Sequence, residues 1–96
     1  MKPSVALLAH CEEVRSIALS HRVRNVHVFG SVLHGDDTEE SDLDLLVDPT
    51  PETTLMDIGA IRYELRRLLG VRVDVLTPMA QPASFRDRIV EEARPL

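Results

Sequence analysis

Aromatic side chains are nearly missing from this sequence: they make up 3% of its 96 residues, and there is no tryptophan. Any core must therefore rest on Leu, Val, Ile and Ala, which the 44% hydrophobic content can supply. Cysteine occurs once, at Cys11, so an intramolecular disulfide is excluded, and no Cys/His spacing suits a structural zinc. Basic charge is scarce as well. Against 16 Asp and Glu stand 11 Lys and Arg, for a formal charge of −5. Phosphate backbones are gripped by Lys and Arg, so direct nucleic-acid binding is not expected of this chain. Apolar runs fall far short of the ~20 residues that cross a bilayer, so no membrane association is expected. The start, Met1-Lys2-Pro3-Ser4, leads into a stretch broken by His10, Glu12 and Glu13, unlike a secretory leader. The expectation is a cytoplasmic protein with one small domain spanning residues 1–96.

Periodicity gives the elements. From Ser4 to His21, Leu7, Leu8, Cys11, Val14, Ile17 and Ala18 recur at three- and four-residue intervals, as in an amphipathic helix. Val26-His27-Val28-Phe29 reads as a strand that stops at Gly30. An acidic loop, Gly35 to Ser41, precedes a second strand, Leu43-Asp44-Leu45-Leu46-Val47, which ends at Asp48-Pro49. Thr54 with Asp57 fits a capping box, opening a helix whose buried stripe is Leu55, Ile58, Ile61, Leu65, Leu68 and Leu69. Gly70 is a natural stop for it. Val71 to Leu76 alternates as a third strand, with Val71, Val73 and Val75 on one face and Arg72, Asp74 and Leu76 on the other. Ser84 with Asp87 repeats the capping pattern before a last helix, whose inner face would carry Phe85, Ile89, Val90 and Ala93. The order helix, strand, glycine turn, strand, helix, strand, helix predicts an α/β (α+β) fold, a small sheet with helices packed on it.

Three aspartates carry the chemistry. Asp42 and Asp44, two residues apart at the start of a strand, point to the same side of the sheet. Asp74 interrupts another apolar strand between Val73 and Val75, where a charge is costly unless paired or metal-bound. If the two strands are neighbours, the three carboxylates converge, and like charges so placed either raise their pKa values or recruit a cation. Carboxylate oxygens suit Mg²⁺ when substrate phosphates complete its shell. A pair of such ions about 4 Å apart can clamp both oxygens of an in-line displacement. Gly30-Ser31, directly after the first strand, lets backbone approach a phosphate closely. The glycine spacing Gly30 to Gly35 is that of a P-loop, but Asp36 stands where its lysine should be, which rejects that reading. Each feature alone is ordinary; together and in this order they are not.

At these residues the chain resembles the nucleotidyltransferase superfamily related to DNA polymerase beta. The likeness lies in Gly30-Ser31, Gly35, Ser41-Asp42-Leu43-Asp44-Leu45-Leu46-Val47 and Val73-Asp74-Val75-Leu76. Length, spacing and the tail from Thr77 to Ala93 resemble its minimal branch, the antitoxins paired with HEPN-domain toxins. The resemblance implies the nucleotidyltransferase fold, a small mixed sheet with packed helices. It implies ATP as substrate, a pair of Mg²⁺ ions held by Asp42, Asp44 and Asp74, and catalysis by the same three residues. Gly30, Ser31 and Ser41 would bind the nucleotide. The acceptor would be a tyrosine hydroxyl on a HEPN-type ribonuclease partner, held in a stable hetero-oligomer and silenced by AMP. His34 stands where the family often has a basic residue, and Asp36, Asp37, Glu39 and Glu40 make the following loop acidic. Both departures predict weaker or pH-dependent triphosphate binding.

Two other readings remain open at this point. One is an antitoxin that neutralises its partner by binding alone. The other is a transferase for small hydroxylated molecules of the aminoglycoside type, which the short stretch after Thr77 disfavours because nothing is left to enclose the acceptor. His27 is expected to be a packed or hydrogen-bonded strand residue, Cys11 a small buried one, and His10 and His21 exposed. Arg62, Arg66 and Arg67, near Tyr63, form either a solvated face or a docking surface.

Overall fold

The computed structural model describes all 96 residues. Helix α1 runs over Pro3–Leu19, with proline in its first turn, where a missing N–H costs nothing. Its N-terminus is capped from far along the chain. The Ser4 N–H donates to Asp37 Oδ2 at 2.8 Å, and Asp37 is buried. Leu7, Val14 and Ala18 face inward as expected, whereas Leu8 is 84% exposed and Cys11 only half-buried. Ala6, Leu7, Val14 and Ala18 set the buried face, and Leu8, about 100° further round than Leu7, falls outside it.

Strand β1 (Val23–Phe29) is longer than expected, with a register shift between Val23 and Val26. The glycine turn that follows is a single helical turn, α2 (Ser31–His34), bounded by Gly30 and Gly35, both at positive φ. Strand β2 covers Leu43–Pro49. Helix α3 (Leu55–Leu69) begins with the expected capping box. The Asp57 N–H donates to Thr54 Oγ1 at 3.2 Å, and the Thr54 N–H donates to Asp57 Oδ2 at 2.9 Å. Gly70 ends it in the left-handed conformation. Leu55, assigned to the buried stripe, is instead 90% exposed at the first position of the helix, before the stripe meets the sheet.

Strand β3 is Val73–Leu76, and Val71 lies outside it. A short 3-10 turn at Pro78–Ala80 leads to α4 (Ala83–Glu92). The second capping box does not form. Pro82 occupies the cap position, two residues too early for Ser84 to serve, and no side chain caps the helix. The Arg86 guanidinium fixes this end, donating to the Pro78 and Gln81 carbonyls at 3.0 and 3.1 Å. Ile89 and Ala93 are buried, but Phe85 and Val90 are exposed, so the inner face is narrower than expected. The chain then returns as β4 (Arg94–Pro95), which sequence periodicity did not reveal.

The sheet order is β3-β2-β1-β4. β2 pairs antiparallel with β1 and parallel with β3, and β4 pairs antiparallel with β1, which makes the sheet mixed. One face lies under α1 and α3, where Leu43, Leu45, Val47, Val73, Ile61 and Leu65 are fully buried. The other face is covered only in part, by α4, through a small cluster of Phe29, Leu46, Ile89 and Ala93.

Candidate active site

Strand alternation decides which residues reach the open face. With Leu43, Leu45 and Val47 turned into the main core, Asp44 must point the other way, and so must Asp74 between the buried Val73 and Val75. The parallel pairing of β2 with β3 sets Asp44 in register with Asp74. The antiparallel pairing with β1 sets Asp44 opposite Phe29, the residue before Gly30. Three chain segments thus meet around one carboxylate.

Gly30 closes that meeting point. Its backbone has φ 74° and ψ −151°, a conformation that glycine alone adopts without strain. A Cβ added there would stand 2.4 Å from Asp44 Oδ2, an impossible contact. Glycine is needed for conformation and for space together. Ser31 begins α2 immediately beyond it.

Asp44 is half-buried, and burial first, then the charges of Asp74 and Asp42, pushes its carboxyl up to about 6. Asp42 behaves differently. Its Oδ1 lies 2.8 Å from Arg72 Nε in an ion pair, without an N–H aligned on it for a hydrogen bond. Arg72 also donates to the Glu40 carbonyl. The structure therefore brings Asp42, Asp44 and Asp74 to one face. It does not close them around a point, and no group of three His, Cys, Asp or Glu side chains is gathered closely enough to hold a metal.

The donors nevertheless suit a hard divalent cation. All are carboxylate oxygens, one Asp42 oxygen is buried without a hydrogen bond, and Asp44 carries a repulsion that a cation would relieve. The glycine cradle leaves room against Asp44 that any side chain would fill.

Other expected residues are placed as follows. The Ser41 hydroxyl accepts the Thr38 N–H at 2.8 Å, bracing the acidic loop beside a cleft of about 390 Å³ that Arg72 also lines. Asp37 is withdrawn from this loop to cap α1, so it adds no charge to the open face. His34 leans towards α4, its Nε2 lying 3.4 Å from Glu92 Oε2. His27 is half-buried with Nδ1 lacking a hydrogen-bond partner, so it is packed but not satisfied. His10 and His21, expected to be exposed, are partly covered and pair with Glu13 and Glu64. Arg62, Arg66, Arg67 and Tyr63 lie on the exposed side of α3, where Arg67 stacks on the Tyr63 ring at 5.9 Å. Arg72 is the site residue that the motifs did not single out. The signal available was its alternation onto the same face as Asp74.

The family model for the nucleotidyltransferase domain matches residues 10–96. The chain belongs to the nucleotidyltransferase domain family. A candidate protein adenylyltransferase of Methanocaldococcus jannaschii is 39% identical over 77 residues, covering 80% of this chain and 83% of that protein. The protein adenylyltransferase MntA of Thermococcus cleftensis is 32% identical, across 84% of this chain and 90% of its own length. A solved structure described as a candidate minimal nucleotidyltransferase superposes with a TM-score of 0.88 at 40% identity, covering 97% of this chain and 95% of the other. The resemblance to the minimal branch is thereby borne out. The same fold occurs in a toxin–antitoxin structure with AMP-PNP, with a TM-score of 0.72 at 14% identity, over 97% of this chain and 71% of that one. No helix is long and apolar enough to cross a membrane.

Proposed function

We propose that this nucleotidyltransferase moves AMP from ATP onto a tyrosine hydroxyl of a HEPN-type toxin and so acts as its antitoxin. The observation that carries the proposal is the in-register pair of Asp44 and Asp74 with Gly30 folded against Asp44. A buried-edge carboxylate pair of this kind is unfavourable in an inert domain. It is useful where a cation and phosphates must be seated. Asp42 and Asp44 would hold Mg²⁺, Asp74 would complete the ligand set, and the Gly30-Ser31 backbone would receive the triphosphate.

When bound, the cation neutralises phosphate charge as the reaction proceeds. The acceptor oxygen forms a bond to the α-phosphorus, the bond from that phosphorus to the bridging oxygen breaks, and pyrophosphate leaves. The hydroxyl proton passes to Asp74. Beyond seating and neutralisation, phosphoryl transfer asks little of the protein. None of the concavities in the structure encloses Asp42, Asp44 or Asp74. An open acid face favours an acceptor presented by another protein over an enclosed small molecule. The relatives named as protein adenylyltransferases support the same choice, and the toxin–antitoxin structure supplies the kind of partner.

The Arg72–Asp42 ion pair favours one rival, an antitoxin that acts by binding alone with its acid site at rest. Intact-mass spectrometry separates the two. The chain is incubated with ATP, Mg²⁺ and the protein encoded beside it, next to an Asp42→Ala, Asp44→Ala control. A gain of whole AMP units on the partner, absent in the control, is expected. A stable complex with no gain in mass would overturn transfer in favour of occlusion.

A further inference from the structure

Arg72 sits at a place the sheet register defines closely. Leu43 pairs with Val73 and the Leu43 N–H donates to the Arg72 carbonyl at 2.8 Å, so Asp42 and Arg72 stand across from each other one step before that pair. Asp44 and Asp74 stand one step after it. Alternation puts all four side chains on the same open face. Three negative groups and one positive group are thus laid out on two adjacent strands, and the positive one is taken by Asp42.

The geometry points to Arg72 as a charge-exchanging residue. Its guanidinium occupies Asp42 in the cation-free protein, yields that carboxylate to the divalent cation, and turns to the triphosphate. This rests on the proposed function, because it takes Asp42 to be a cation ligand. Three observations carry it. The guanidinium contacts the same Asp42 oxygen that has no aligned hydrogen bond, so it holds the carboxylate by charge rather than by a fixed fork. The contacted oxygen is covered, but the side chains around it are open to water, Arg72 67% exposed and Asp42 36%, so the pair has the modest strength of a surface ion pair. Arg72 also lines the neighbouring cleft with Glu39, Glu40 and Ser41, so the freed side chain has open space beside it in which to turn. Arginine suits both stations, since its planar donors match carboxylate and phosphate oxygens alike.

The role differs from a structural one in its signs. Removing a purely structural ion pair would lower stability and leave cation binding unchanged or weaker. Removing an internal competitor strengthens cation binding to the free protein. It also weakens binding of the triphosphate, which loses its guanidinium.

The test uses the full chain and two titrations that need no turnover. Free Mn²⁺ is followed by electron paramagnetic resonance without nucleotide, and α,β-methylene-ATP is titrated calorimetrically at saturating Mg²⁺. Arg72→Gln is expected to bind Mn²⁺ roughly two- to fivefold more tightly and the nucleotide analogue more weakly by a similar factor. In an Asp42→Asn background, Arg72→Gln is expected to leave Mn²⁺ affinity unchanged. Arg72→Lys keeps the charge and should stay near wild type for Mn²⁺, while losing nucleotide affinity. Unchanged or weaker Mn²⁺ binding in a folded Arg72→Gln variant, or unchanged nucleotide binding, overturns the exchange. Failure of the wild-type chain to bind Mn²⁺ without nucleotide also overturns the exchange, whereas failure with the nucleotide analogue present as well would remove the cation site, and the proposed function with it.

Discussion

The two faces of this sheet are built from the same strands, residue by alternate residue, yet they do opposite things. The face under α1 and α3 carries a core cluster of 14 buried residues, whereas the face under α4 carries a cluster of four. Beyond that small cluster, the second face holds Asp42, Asp44, Asp74 and Arg72, which gain little from packing. The contrast shows how a short chain can host a charged site. Stability is concentrated on one side, so the other can tolerate carboxylates that repel one another. The aspartates themselves show the same division. Hydrogen bonding from the Ser4 backbone holds Asp37 below its ordinary pKa, so its charge helps the fold. Burial and like charges hold Asp44 above its own, so its charge works against the fold.

Core truncation should separate the faces most strongly. Leu65→Ala, at a fully buried position facing the sheet, is expected to cost about 2–5 kcal/mol in denaturant unfolding. Ile89→Ala, in the small cluster, should fall at or below the low end of that range, about 2 kcal/mol. Equal losses would mean that the α4 side carries as much of the fold as the main core.

Gly30→Ala should affect function more than folding. The added methyl collides with Asp44 Oδ2 and the backbone conformation resists it, so AMP transfer is expected to fall roughly a hundredfold or more. Circular dichroism of the variant should stay native in shape. Retained activity would show that Asp44 has room to move away without consequence.

Acidification should weaken the proposed cation site and, further down, the fold. Below about pH 6 Asp44 takes up a proton that a cation must then displace, so Mn²⁺ affinity is expected to decline from there downwards. Asp37 works in the other direction. Its lowered pKa gives stability that is present above the ordinary 3.8 and is lost as pH falls through the native value. Asp37→Asn is therefore expected to lower the melting temperature at neutral pH. The gap to wild type should close in strong acid.

Much of the layout of this face is legible in the sequence. Asp42 and Asp44 two apart, and Asp74 among valines, say which face each carboxylate takes. The Thr54–Asp57 box marks a helix start, because all its parts lie within four residues. What could not be read depends on partners distant in sequence. The two residues of β4 become a strand only by pairing with β1, and Asp37 looks like loop charge until the start of α1 is brought to it. The Arg72–Asp42 contact requires the parallel register, which no local pattern specifies. The Ser84–Asp87 box failed on a local competitor, since Pro82 starts α4 too early for it. Leu8 and Leu55 show that hydrophobic spacing marks a helix without marking which of its apolar residues reach the core.

The division of labour between the faces is tested most directly by unfolding Asp44→Asn beside wild type at pH 8 without divalent cation. The raised native pKa makes wild-type stability fall as pH rises from 3.8 towards 6, leaving the full cost in place at pH 8. After allowing for the water that still reaches this half-buried group, that cost is about 1–2 kcal/mol. The expected result is a variant more stable than wild type by about that amount, with the advantage fading as pH falls to 4. A variant less stable at pH 8 would show that the ionised Asp44 supports the fold, and would contradict the assignment of this face to chemistry at the expense of stability.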